Sequence, residues 1–210
     1  MFNRFGVRLV SALMTVGLCT SVSLAKPLHF KVHGDNKDQI SFNSDAPVEV
    51  ITGNTQAVQG DIKLDDSFKL DAKHPFAIAF TVDLASIDTG IPLRNEHMRD
   101  NFLETKQYPQ AKFVTQRVQF RQKPDLSKAQ SIKLDAIGDL TVHGVTVRKT
   151  IPLTVDYTPG KSKQPATVRV RGKFPVTLAQ HKIKRPEAIF VKLAETVYVS
   201  VDVTGKAITQ

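Results

Sequence analysis

The sequence predicts an all-β domain, an antiparallel barrel or sandwich of about eight main strands interrupted by one short helical insertion. Three observations predict it. From about residue 28 onward apolar residues alternate with polar ones at period two, the spacing of strands with one buried face. One hairpin can be written in register from the residues alone. Between about residues 87 and 112 the alternation stops once and gives way to helical spacing.

The first 25 residues stand apart from this pattern. Arg4 and Arg8 precede a mostly apolar run from Leu9 to Leu24, and Ser23-Leu24-Ala25 places small residues where a signal peptidase reads. The run is too short and too rich in Ser, Thr and Gly for a membrane span of roughly 20 residues. A signal peptide over 1–25, cleaved after Ala25, and export to the periplasm are therefore expected, leaving one domain over 26–210. Cys19, the only cysteine, lies inside that leader. The exported domain would then have no disulfide, thiol nucleophile or Cys-based zinc site. Cleavage removes two of the 29 basic residues and none of the 20 acidic ones, so the net charge of +9 falls to +7.

Strands are expected near Leu28–His33, Gln39–Phe42, Val48–Ile51 and Thr55–Leu64. Phe76, Ile78, Phe80, Val82 and Leu84 then share one face, and a strand follows at Phe113–Phe120. Ile132, Leu134, Ala136, Leu140 and Val142 continue the pattern, as do Val145, Val147, Ile151, Leu153 and Val155. Val168, Val170, Phe174, Val176 and Leu178 form the next face, and Val197, Val199, Val201 and Val203 close the series. Apolar residues on one face only are the mark of antiparallel rather than buried parallel strands. Thr158-Pro159-Gly160 through Gln164-Pro165 reads as a hairpin loop.

His143-Gly144 separates two of these runs, and a two-residue turn there pairs Val142 with Val145. The same register pairs Leu140 with Val147, Ala136 with Ile151, Leu134 with Leu153 and Ile132 with Val155, all apolar. A slip of one residue would place polar groups on that face. Gly144 supplies the positive φ such a turn needs, and His tolerates it. The register also sets Gly138 opposite Lys149. Two explanations stand: a bulge at Gly138 that leaves Lys149 at the rim, or a charge inside a wet or ligand-filled barrel.

In the interruption, Pro92 suits a first helical turn, and Met98 and Phe102 share a face with Leu103 beside them. Arg94, Glu96, Arg99 and Asp100 supply the polar side. Basic residues elsewhere are scattered. Arg169, Arg171 and Lys173 share one strand face and read as a solvated outer wall, and export makes nucleic acid an unsuitable partner.

Two blocks now stand out. One runs Ser86-Ile87-Asp88-Thr89-Gly90, then Arg94-Asn95-Glu96-His97-Met98-Arg99, then Tyr108-Pro109-Gln110-Ala111-Lys112-Phe113. The other is Gly138 to Thr146, with Asp139-Leu140-Thr141 and His143-Gly144 inside it. Together they resemble the YceI-like family of secreted, lipocalin-like barrels that bind polyisoprenoid or other amphiphilic lipids. Asn95 departs from the family's usual Asp, and His181 to Pro186 stands where many members carry a different turn. The resemblance implies an extended antiparallel eight-stranded lipocalin-like barrel whose short helical insertion caps one end.

With that fold, the expected function is a periplasmic carrier that sequesters a long-chain amphiphile such as a polyisoprenoid, prenylated quinone or fatty-acid derivative. The inner-face residues expected to line it are Ile78, Phe80, Val82, Val118, Phe120, Leu140, Val142 and Phe174. Arg94, His97 and Arg99 are expected near a mouth, where Arg is the better partner for a phosphate or other anionic head. The other reading is a ligand-free, stress-linked module with a closed core, for instance a partner of a membrane cytochrome. Contact with a membrane or membrane protein, and a homodimer, are compatible with both. No catalytic motif is present: HExxH, GxSxG and a phosphate-cradling glycine loop are all missing. His29 and His33 share a strand face but are too far apart for one metal. An enzyme, a resident metal and a cofactor are not expected.

Overall fold

The structure, a computed structural model, describes residues 28–34, 39–46, 49–64, 77–122, 124–125, 127–185 and 193–208. The expected leader over 1–25, Phe76 and Val48 lie outside them. The strands are β1 (Leu28–His33), β2 (Gln39–Asp45), β3 (Val50–Thr55), β4 (Val58–Leu64), β5 (Ala77–Asp83), β6 (Gln110–Phe120), β7 (Gln130–Val142), β8 (Val145–Thr158), β9 (Thr167–Thr177) and β10 (Thr196–Ala207). The insertion between β5 and β6 contains α1 (Pro92–His97), which runs on through a π turn at Met98–Phe102.

All neighbouring strands are antiparallel, in the order β1-β4-β5-β6-β7-β8-β9-β10-β2-β3. The sheet closes where β1 meets β10, with Phe30 opposite Ala207. β1 pairs with β4 and β2 with β3, so the first four strands are two long staves, each broken once. The result is a closed eight-stranded antiparallel barrel with a short helix, as the alternation and the resemblance together predict. The second stave breaks at Gln56-Ala57, between β3 and β4, and not at 52–54 where the sequence pattern suggested the division.

The β7–β8 register is as read from the residues, from Val142 opposite Val145 to Ile132 opposite Val155. His143 and Gly144 have φ of 50° and 71°, the left-handed pair of a two-residue hairpin turn. Lys149 does face Gly138, and its Nζ sits at the rim, 3.3 Å from Gln180 Oε1. The irregularity expected at Gly138 is instead on the neighbouring strand: β6 shifts register between Thr115 and Arg117. Gly138 is needed because the β6 backbone passes so close that a Cβ would lie 2.3 Å from the Val114 carbonyl oxygen.

The outer wall carries the basic residues, as expected. Arg169 makes two 2.6 Å bonds to Asp202, Arg171 donates to Asp156 at 2.5 Å, and Lys173 lies over the Tyr198 ring. His29 donates to Asp61 at 2.5 Å, and Lys31 reaches the same carboxylate at 2.7 Å. That pairing holds the Asp61 carboxyl below the ordinary carboxylate range, the Lys31 bond being the largest cause.

Inside, the barrel has two unlike halves. In the half away from α1, Phe30, Ile62, Ile78, Leu134, Val168, Val170 and Val203 are fully buried. The Phe30 and Tyr157 rings meet edge to face at 6.4 Å across it. That half is packed shut, whereas the half beneath α1 is not.

Candidate ligand cavity

Under α1 the inner faces of the strands surround a cavity of about 810 Å³. Its walls come from β2 and β3 (Phe42, Ile51), from β5 (Phe80, Val82), from β7 to β9 (Leu140, Val142, Leu153, Phe174, Val176) and from β10 (Val197, Val199, Val201). The insertion supplies the roof through Leu93, Met98, Phe102 and Leu103. Period-two alternation puts every second strand residue on the inner face, and those in this half of the barrel form the wall. The i, i+4 spacing of Met98 and Phe102 turns both toward it.

Polar groups occur at the mouth. Arg94 on α1 donates to Glu49 from the β2–β3 turn at 2.6 Å, and both line the opening. His97 and Asn101 also line it. The loop before α1 is held by buried Asn95. Its Oδ1 accepts from the Thr89 amide (2.8 Å) and hydroxyl (2.6 Å), and its Nδ2 donates to Asp88 at 2.7 Å. The Asp88 carboxyl is lowered below its usual range, first by the Asn95 bond and then by the Gly90 amide. Asn95 thus donates where a carboxylate could only face Asp88 with a second negative charge.

The second sequence block braces the same end. Tyr108 stacks its edge against His143 at 4.6 Å and lies over Gly144. His143 Nδ1 donates to the His181 carbonyl, and His181 Nδ1 donates to the Val145 carbonyl, both at 3.1 Å. These bonds tie the hairpin to the 3₁₀ turn Leu178–His181, whose Leu178 is part of the cavity wall. His181 is wholly buried, and that burial pushes its imidazole below the ordinary histidine range.

Five residues expected as lining stand on the wall: Phe80, Val82, Leu140, Val142 and Phe174. Three do not. Ile78 and Val118 are buried in the packed half, and Phe120 is partly buried against the core there. Alternation assigns a residue to the inner face but not to a depth along the barrel. At the mouth, Arg94 and His97 line the opening, whereas Arg99, one position beyond their shared face, points elsewhere and contributes only a field at Asp88. Arg94 is also not free, being paired with Glu49. Glu49, Phe42, Leu93 and Val199 also line the cavity and are not among the expected residues. Phe42 and Val199 carried the signal in their alternation, while Glu49 carried none, lying 45 residues from its partner. Among the described residues no group of three or more His, Cys, Asp or Glu could hold a metal ion.

A family model described as the YceI-like domain matches residues 31–205. Protein YceI of Escherichia coli O157:H7 is 38% identical over 85 residues, 39% of this chain and 40% of that protein. A UPF0312 protein of Pseudomonas putida (strain GB-1) is 36% identical over 105 residues, 48% of each chain. The chain thus spans less than half the length of the curated relatives it matches. Among solved structures, a polyisoprenoid binding domain from Saccharophagus degradans superposes with a TM-score of 0.65 at 20% identity, covering 87% of this chain and all of the other. Burkholderia cenocepacia BcnA gives 0.62 at 21% identity, covering 80% and 96%. At those identities the two structures show a shared fold.

Proposed function

The chain belongs to the YceI-like family, and on that premise we propose that it is a binding protein, not an enzyme, that holds the tail of a long-chain amphiphile inside the barrel. The observation that carries this is the cavity of about 810 Å³, walled mainly by Val, Leu, Ile and Phe and backed by the packed half of the barrel. Each methylene moved from water into such a wall contributes roughly 0.8 kcal/mol, so a tail of a dozen carbons gives on the order of 10 kcal/mol before the costs of ordering it. The ligand class is a prenyl lipid, prenylated quinone or fatty-acid derivative. The polyisoprenoid binding ascribed to the Saccharophagus degradans domain supports the first of these. Its head group would sit beside Arg94 and His97.

We place the mature protein in the periplasm, on the strength of Arg4, Arg8, the apolar run and Ser23-Leu24-Ala25. Fractionation followed by amino-terminal sequencing should return Lys26 as the first residue; a chain beginning at Met1 in the cytosol opposes export. For the ligand, delipidated protein is titrated with prenyl alcohols of increasing length by displacement of a fluorescent fatty acid. Affinity should rise with each isoprene unit and level off once the cavity is full. Equal, weak binding at every length is incompatible with an apolar tail site.

A further inference from the structure

The barrel wall has a seam beside the cavity. β5 follows β4 to the Asp83 amide, which donates to the Ala57 carbonyl at 3.0 Å. Past that point Thr55 and Ser86 meet hydroxyl to hydroxyl at 2.5 Å, and Asn54 and Asp88 exchange two 2.9 Å backbone bonds. Beyond Asn54, among the described residues, β3 has no strand partner on this edge. The two sides meet again only at the Arg94–Glu49 ion pair. Between the backbone bridge and the ion pair lies a window, with Ile51 and Gly53 on one side and Thr89 and Ile91 on the other, all four lining the cavity. Its rim carries three of the most exposed large apolar residues: Leu93 (60%), Val50 (57%) and Ile91 (45%).

We propose that this window is the portal of the cavity and that its rim of Val50, Ile91 and Leu93 docks the protein on a lipid bilayer surface while the ligand passes. The inference rests on the amphiphile-binding reading above. Two features select a bilayer as the occupant. The rim is continuous with the cavity wall, since Ile91 and Leu93 belong to both, so a tail could slide from acyl chains into the barrel without crossing water. Glu49 and Arg94 neutralise each other, and exposed Asp45 opposite Val50 and Asp88 at the backbone bridge add only negative charge, so the contact is carried by the apolar side chains and draws nothing from an anionic headgroup.

The test is sedimentation of the exported protein with sucrose-loaded phosphatidylcholine vesicles. Wild-type protein should sediment with them, and should still do so in about 1 M salt, where the Debye length is about 3 Å. Val50→Asp and Leu93→Asp should each lower the vesicle partition at least tenfold. Val114→Asp, at an exposed apolar residue on the outer wall of β6, should leave it unchanged, and unchanged circular-dichroism melts certify that each variant is folded. Wild-type protein that stays in solution, variants that sediment like wild type, an equal loss in Val114→Asp, binding abolished by salt, or pairing of two chains through this rim without vesicle binding would each overturn the proposal. Titration with a prenyl alcohol in vesicle-free solution separates this from failure of the cavity reading. Val50→Asp should bind there as wild type does, whereas wild type that fails to bind at all removes the amphiphile reading itself.

Discussion

Ile78 and Phe80 are neighbours on the inner face of β5, yet one is walled in and the other borders space, so truncating each to Ala asks whether the cavity exists. Ile78 is 0% exposed and sits against the packed half. Ile78→Ala removes three buried carbons, about 2.4 kcal/mol of transfer at roughly 0.8 each, and leaves a hole its close-packed neighbours cannot fill. The total loss should be about 3–4 kcal/mol, with ligand affinity unchanged within twofold. Phe80 faces the cavity, where part of its ring already lacks contact partners. Phe80→Ala should cost the empty protein only about 1–2 kcal/mol. It should weaken an apolar ligand about fivefold to tenfold, since a tenfold change corresponds to 1.4 kcal/mol of lost contact. Urea unfolding of delipidated protein measures the first quantity, and displacement of a fluorescent fatty acid the second. If Phe80→Ala destabilises as much as Ile78→Ala while binding is unaffected, the barrel is a closed core and the reasoning is refuted.

Gly144→Ala puts a Cβ 2.5 Å from Tyr108 Cε1 at a φ of 71°. The left-handed penalty and the displaced Tyr108–His143 contact should together cost about 2–3 kcal/mol in a urea titration; a neutral substitution would mean the turn is not as described. His181 is buried and neutral, with its affinity for a proton lowered by burial. Below about pH 6.5 the unfolded chain therefore binds a proton that the folded chain refuses, so stability falls with pH from there down to the folded value. His181→Leu should flatten that acid limb in melts taken between pH 7.5 and 5, and an unchanged limb would assign it elsewhere. Glu49→Gln should alter stability by less than about 0.5 kcal/mol, because the ion pair is part-exposed. By releasing Arg94 it should tighten a fatty acid about threefold and leave a prenyl alcohol unchanged; equal effects on both ligands would show that Arg94 does not meet the head.

Strand identity was legible because a barrel exposes one face and buries the other, which stamps period two on the residues. The His143-Gly144 register was legible for the same reason, since any slip would have buried Thr or Asp. Depth was not legible. Ile78 and Val82 carry the same inner-face signature, and only strand tilt and the size of opposing side chains decide that one is fully buried opposite Ile62 while the other borders the cavity. The helix face was half legible: the spacing of Met98 and Phe102 identified the roof, but the rotation that excludes Arg99 depends on the Asn95 bonds to Thr89 and Asp88. The Arg94–Glu49 pair was not legible, because nothing local links a hairpin turn to a helix 45 residues later. Ion pairs of this kind are set by the closing of the barrel.

The most direct measurement is mass spectrometry of the native protein, purified from its own compartment without detergent, followed by organic extraction. A cavity of about 810 Å³ with an apolar wall predicts one long-chain prenyl or acyl compound per protein, released on denaturation and absent from protein refolded without lipid. Native protein with no bound lipid, and a stability identical to that of the refolded chain, would contradict the account.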